Sequence, residues 1–323
     1  MLSLSIKNKV EEKILINMKI LVGNTGFVGS NLSSQTIFDG FFNSRNIQEA
    51  FRLNPDLLIY SGVPAEKFYA NQNPEKDLEI IQNAIENIKK INPKRIVLIS
   101  TVDVYPTPIK VNEESIINET DLEPYGKNRL FLEKWVEQYF EEYTIIRLPG
   151  LFGKNLKKNF IFDVIHVIPS VLNENKYQEL SNANFWIKDY YTFQNNGFYK
   201  LNPVSESEKN DLKNKFLQIG FSAINFTDSR GVFQFYNLKN IWSDIKIALE
   251  KNIKKINFAT EPVSVNEIYF TLFKEVFENH VAAQAPHYNF ETKFAGDYNH
   301  KPPYLYNKQE VLKDIETFIF ESR

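Results

Sequence analysis

Cysteine is absent from this chain of 323 residues, which excludes disulfides, thiolate metal sites and cysteine nucleophiles together. Histidine is scarce. The four present, His166, His280, His287 and His300, fall in separate contexts without the short spacings of zinc motifs, so no bound metal is expected. No apolar run reaches the ~18 residues that a membrane span needs. Met1 to Asn17 lacks the apolar core and small-residue cleavage site of a secretory signal. Neither sign of charge is in excess. The net charge is −2, with Lys and Arg spread along the chain, which argues against a nucleic-acid or polyanion partner. A cytoplasmic protein that engages neither nucleic acid nor membrane is expected. The only methionines are Met1 and Met18, and Met18 opens the first apolar strand. Residues 1–17 read as an upstream extension or a frayed tail.

A hydrophobic fraction of 43%, with 14% aromatic residues, supports a sizeable core. In the first half, apolar strands alternate with helical patterns, which predicts a parallel sheet covered on both faces. Strands are expected at Met18–Val22, Gly40–Asn43, Leu57–Tyr60, 95–100 and Thr144–Leu148. Helices are expected from Ser30, over Ile47–Leu53, over Glu75–Lys90 and from Tyr125 to about Phe140. Beyond Gly153 the pattern weakens, and 160–228 reads as helical and loop-containing. A late strand at Ile256–Ala259 and helices at Ile241–Leu249, Val265–Phe277 and Glu310–Ile319 close the chain. The expected class is α/β, a Rossmann-type doubly wound parallel sheet with a smaller C-terminal substrate-binding region. Residues 18–160 are expected to form the Rossmann core, and 161–323 the C-terminal region interleaved with it.

Gly23-Asn-Thr25-Gly26-Phe27-Val28-Gly29 stands between a strand and a helix. Glycines so placed permit a tight turn, let backbone N–H groups approach a pyrophosphate, and let the helix pack closely on the strand. The ribose selector should lie about 20 residues beyond the first glycine. That stretch is Asn43-Ser44-Arg45-Asn46, which has no acid to bond a ribose 2′-hydroxyl. Arg45 offers a cation to a 2′-phosphate instead, or is a solvated loop residue. NADP is favoured over NAD on this basis. Asp56-Leu-Leu-Ile-Tyr-Ser61-Gly62-Val63 is a second strand ending in small residues.

Further on, Arg95-Ile-Val-Leu-Ile-Ser100-Thr101 ends a strand with hydroxyls, and Tyr125-Gly-Lys-Asn-Arg129 opens a helix. Together with the glycine motif, these residues resemble the extended, sugar-nucleotide branch of the short-chain dehydrogenase/reductases, the NAD(P)-dependent epimerase/dehydratase family. The branch has Lys where this chain has Arg129. The resemblance implies that Tyr125 is the acid/base, Thr101 polarises the same substrate oxygen, and Arg129 takes the place of the Lys that bonds the nicotinamide ribose and lowers the Tyr pKa from ~10. A guanidinium keeps its charge but cannot pass through a neutral amine, so a proton relay by that side chain is lost.

The resemblance also assigns Ser61, Gly62 and Val63 to the cofactor. Leu148, in Arg147-Leu-Pro-Gly-Leu-Phe-Gly153, falls in a segment whose backbone lines the nicotinamide in this family. Asp103, Asn159 and Arg230 are the substrate-binding candidates. Lys157 and Lys158 are cations for a nucleotide diphosphate, or a solvated basic turn. Related 4,6-dehydratases place Asp-Glu after the catalytic Thr, where this chain has Val102 and Asp103, so dehydration is disfavoured. The absence of cysteine disfavours the fucose-type epimerase–reductase chemistry. What remains is a reductase or epimerase of a nucleotide-activated sugar in surface polysaccharide synthesis. A non-catalytic dinucleotide or sugar-nucleotide-binding protein of the same fold is the alternative. A homodimer through the helices at 75–90 and 125–140 is expected. Ile81, Ile85, Ile88, Leu132 and Trp135 belong either to that interface or to the chain's own core.

Overall fold

The computed structural model describes residues 18–322, so the reading of residues 1–17 lies outside the described residues. Strands β1 (Lys19–Val22), β2 (Gly40–Phe42), β3 (Leu57–Tyr60), β4 (Arg95–Thr101) and β5 (Tyr143–Leu148) build the central sheet. A late strand, Lys255–Asn257, completes it. Six strands lie in the order β2-β1-β3-β4-β5 and then Lys255–Asn257, every neighbour parallel.

Strand periodicity distributes the apolar side chains to two faces. Ile20, Val22, Leu58, Tyr60, Ile96 and Leu98 meet α3 (Pro74–Ile91) and α4 (Pro124–Tyr139) on one side. Leu21, Leu57, Ile59, Val97 and Ile146 meet α1 (Phe27–Ser33) and the helix Ile241–Glu250 on the other. This is the doubly wound arrangement. Helix α3 carries its own start and stop signals: Pro74 in the first turn, Glu75 and Asp77 beside it, Lys89 and Lys90 in the last turn, and a left-handed Asn92 cap. Its Ile81, Ile85 and Ile88, with Leu132 of α4, are buried against the sheet, and Trp135 packs at the edge of the same cluster. They serve the chain's own core, the second of the two places open to them.

Three local expectations are corrected. Residues 47–53 make a single 3-10 turn, Ile47–Ala50, because Arg52 and Asn54 adopt left-handed backbone at φ 63° and 49°. The helix from Val265 stops at Phe273 on a left-handed Lys274. Between 160 and 228 lies a three-stranded antiparallel sheet of Val171–Asn173, Phe198–Leu201 and Tyr191–Phe193. Its strands are too short to show an alternation in sequence. They close over a separate apolar cluster of Leu172, Leu180, Ile187, Leu212 and Phe216.

Candidate active site

The strand order reverses around β1, with β2 on one side and β3 on the other, and this opens a crevice at the strands' C-terminal ends. The glycine turn fills that position. Gly23 has φ 93°, its N–H donates to the Phe42 carbonyl at 2.7 Å, and a Cβ on it would lie 2.4 Å from the Ser61 carbonyl oxygen. A Cβ on Gly29 would lie 2.0 Å from the Gly23 carbonyl oxygen. Thr25 and Gly26 form the exposed rim, Phe27 and Val28 are half-buried, and the N-cap Gly26 supplies no side-chain cap to α1. A cradle this close, with exposed backbone at its rim, fits the pyrophosphate of a dinucleotide.

The neighbouring predicted residues gather around it. Ser61 Oγ donates to the Val22 carbonyl at 3.0 Å, and Gly62 lies against Val22. Asn43 Nδ2 donates to Asn24 of the glycine turn at 3.2 Å, while Asn43 Oδ1 accepts from the Arg45 N–H at 3.0 Å. Arg45 is exposed. Leu148, buried at the end of β5, pairs in register with Thr101 at the end of β4.

Thr101, Tyr125 and Arg129 come together beside this crevice. The Tyr125 N–H donates to Asn71 Oδ1 at 2.9 Å, fixing the start of α4. Gly126 lets that start approach the turn after β4, since a Cβ there would lie 2.0 Å from the Asp103 carbonyl oxygen. The Thr101 hydroxyl neighbours the Tyr125 phenol and favours its ionised form. The Arg129 guanidinium lies over the Tyr125 ring, 4.1 Å from its centroid. Behind the site, Arg147 and Glu133 form a fully buried ion pair at 2.6 Å, to which Ser100 donates at 2.5 Å and which reaches the Tyr105 hydroxyl at 2.6 Å. This network ties β4, β5 and α4 together directly beneath Thr101.

The expected lowering of the Tyr125 pKa is corrected. Burial raises it and outweighs the opposing charge of Arg129; Asp103 adds to the rise, while Thr101 and Lys67 oppose it. The guanidinium is not a free charge. It is buried against Asp77, also buried, and donates to the Pro64 carbonyl at 2.7 Å in the loop that follows β3. Asp77 also accepts from Asn128 at 2.9 Å. The net effect of this environment favours the protonated phenol.

The structure separates the substrate candidates. Asp103 stands at the site, accepting from Lys67 Nζ at 2.8 Å and facing the Tyr288 hydroxyl at 3.5 Å. Asn159 caps the helix Phe160–His166: its Oδ1 accepts from Phe162 N–H at 3.1 Å, and its Nδ2 donates to the Leu151 carbonyl at 2.8 Å. Arg230 is held in a fork by Asp228 at 2.9 and 2.7 Å and donates to the Ala282 carbonyl at 2.6 Å. Both shape their own loops, and the Arg230 side chain keeps 42% of its surface exposed. Lys158 donates to the Ala65 carbonyl at 3.2 Å. Sequence reasoning missed Lys67, Asp77, Gly126 and Tyr288. Only Gly126, next to the tyrosine, carried a readable signal.

A glycine turn at the crevice and a Thr–Tyr–cation cluster at the adjoining strand end are the features on which the resemblance to the short-chain dehydrogenase/reductases rests. Residues 40–188 match the model of the NAD dependent epimerase/dehydratase family, the family that the sequence resembles, and the resemblance is shown over this stretch. No curated protein matches the chain. Among solved structures, dTDP-4-dehydrorhamnose reductase from Bacillus anthracis in complex with NADP aligns at TM-score 0.61 and 14% identity, over 94% of this chain and 99% of its own. UDP-glucose 4-epimerase from Thermotoga maritima with UDP-glucose aligns at 0.58 and 13%, over 94% and 98%. The Bordetella bronchiseptica enzyme WbmG in complex with NAD and UDP aligns at 0.60 and 12%, over 94% of each chain. At these identities the likeness establishes a shared fold. Among the described residues, no helix is long and apolar enough to cross a membrane.

Proposed function

We propose that this protein is an NAD(P)-dependent reductase acting on the ketone of a nucleotide-activated sugar. The observation that carries the reading is the buried Tyr125, set beside Thr101 at the glycine crevice with the Arg129 guanidinium over its ring; burial favours its acid form. A phenol held in its acid form suits donation to a carbonyl oxygen that gains a hydride; epimerisation, which begins by oxidising an alcohol, needs the phenolate first. Structures of similar fold include a dTDP-4-dehydrorhamnose reductase and a UDP-glucose 4-epimerase, which supports the substrate class.

The backbone of Gly23–Gly29, the Ser61–Val63 turn and Leu148 would hold the dinucleotide, with Arg45 at the adenosine end favouring NADP. A nicotinamide bound there supplies the hydride. Tyr125 gives its proton to the carbonyl oxygen, and Thr101 hydrogen-bonds the same oxygen. Arg129 holds the phenol ring from its face, keeps the loop at Pro64 in place, and has donors left for a ribose. Mixing the protein with NADPH or NADH and a panel of nucleotide 4-ketosugars, and following the loss of reduced-nicotinamide absorbance, tests the reading. Absence of turnover with every sugar nucleotide that binds would instead favour the non-catalytic binding protein, whose support is the engagement of Arg129 by Asp77.

The same reading includes a homodimer through the outer faces of α3 and α4. There Phe131 and Tyr139 are 47% and 51% exposed, and Trp135 stacks on Tyr139 at 4.8 Å. A monomer by light scattering at micromolar concentration would remove this claim.

A further inference from the structure

The duty that Arg129 cannot perform is to gain and lose a proton. In the structure another amine stands close by. Helix α2 (Lys67–Gln72) follows the loop after β3, and its first residue sends Nζ to Asp103 Oδ1 at 2.8 Å. The other carboxylate oxygen of Asp103 lies 3.5 Å from Thr101 Oγ1, and the Asp103 N–H donates to that same hydroxyl at 3.1 Å. Thr101 in turn neighbours the Tyr125 phenol. The result is a row of groups with exchangeable protons: Tyr125, Thr101, Asp103, Lys67. Its far end opens to water, since the Lys67 side chain is 45% exposed while that of Asp103 is 21% exposed.

We propose that Lys67 is the proton-relay residue of this site, replenishing the Tyr125 proton through Asp103 and Thr101 and balancing the Asp103 charge that faces the phenol. The proposal rests on the reading of Tyr125 as the acid. After Tyr125 has given its proton to the carbonyl oxygen, the Lys67 ammonium passes a proton to the Asp103 carboxylate, the resulting carboxylic acid passes one to the Thr101 oxygen, and the Thr101 hydroxyl gives its own to the phenolate. The neutral amine left at Lys67 is reprotonated by water, so the relay returns to its starting state. Two further groups face the chain. Arg129, on α4, is neutralised by Asp77. Tyr288, from the segment after Pro286, contacts both Asp103 and Lys67. Burial works against the Lys67 ammonium, but Asp103 and Tyr288 outweigh it and hold the amine above its ordinary value.

The test uses a readout independent of turnover. With 3,5-difluorotyrosine at position 125, the phenol ionises nearer neutral pH and its fluorine resonance reports the midpoint. Lys67→Met leaves Asp103 unbalanced and should raise that midpoint by about one pH unit, while Lys67→Arg should hold it at the wild-type value. In turnover, Lys67→Met should lower kcat/KM about tenfold near neutral pH, within the range of general acid–base effects, and added methylamine should restore part of it. A midpoint unmoved by Lys67→Met, or an unchanged pH–rate profile, overturns the proposal. Failure of the underlying reading looks different: Tyr125→Phe would keep full activity whatever Lys67 does.

Discussion

Gly126 and the carbonyl of Asp103 are in such close contact that a single methyl on Gly126 would lie 2.0 Å from that oxygen. This approach sets the start of α4 against the turn after β4, and so sets Tyr125 against Thr101. Gly126→Ala must push the two apart, because the obstruction is backbone and cannot rotate away. A loss of hydride transfer of at least tenfold is expected, with dinucleotide affinity retained. Activity and affinity measured on one preparation separate the two effects, and an unchanged kcat would show that the contact does not position the phenol.

Removing the phenol hydroxyl is the direct test of the acid. Tyr125→Phe should lower turnover by about 10²–10⁴-fold, the usual range for a general acid, while leaving cofactor titration unchanged. Full activity would show the cluster to be misassigned and would move the search for the acid to Asp103.

Asp77 shares a buried ion pair with Arg129 and also receives Asn128. Asp77→Ala leaves a guanidinium buried without its counter-charge, a loss of about 3–5 kcal/mol by analogy with other buried pairs. Adding Arg129→Met should recover a good part of that loss, because the uncompensated charge is gone. Urea unfolding of the single and double variants measures both. Additive losses would mean that the pair is not energetically coupled.

Arg45 is exposed beside Asn43 at the end of β2, with its backbone N–H fixed by the Asn43 side chain. If it meets a 2′-phosphate, Arg45→Ala should weaken NADP binding by about tenfold, the loss of one charge-assisted contact, and leave NAD binding unaltered. Equal affinities for NADP in the two proteins would remove Arg45 from the site.

Burial pushes the Asp163 carboxyl up to about 7. Its unfolded value is ~3.9, so between those limits the native chain holds a proton that the unfolded chain has released. Stability then falls as pH rises. The contribution is fully present below about pH 4 and lost as pH passes through the folded value. Asp163→Asn should therefore stabilise the protein by about 1–2 kcal/mol above neutrality, less than the full linkage because the group keeps some solvent contact. At acid pH it should gain nothing. Thermal unfolding at the two pH values checks the sign, and an equal shift at both would contradict it.

The sequence by itself determined the architecture of the sheet half. Leu57–Tyr60 and Glu75–Lys90 were legible because a strand buried on both faces is an unbroken apolar run, and a helix on a sheet repeats its isoleucines at turn spacing. The glycine turn and the Thr101–Tyr125–Arg129 set were legible for a similar reason: each is local in sequence, and its order along the chain reports its place at a strand end. Tertiary structure alone decided the rest. Nothing along the chain pairs Asp77 with Arg129 across 52 positions, or brings Lys67 and Tyr288 to Asp103. The direction of the Tyr125 shift was equally out of reach, since burial and a neutralised guanidinium are properties of the packed state. The isoleucines of α3 and Leu132 fit a core or an interface by pattern, and only their contact with the sheet assigns them. Short antiparallel strands around 171–201 carry too few residues for a period of two to emerge. Periodicity records which face of an element is buried; it does not record what the element is buried against.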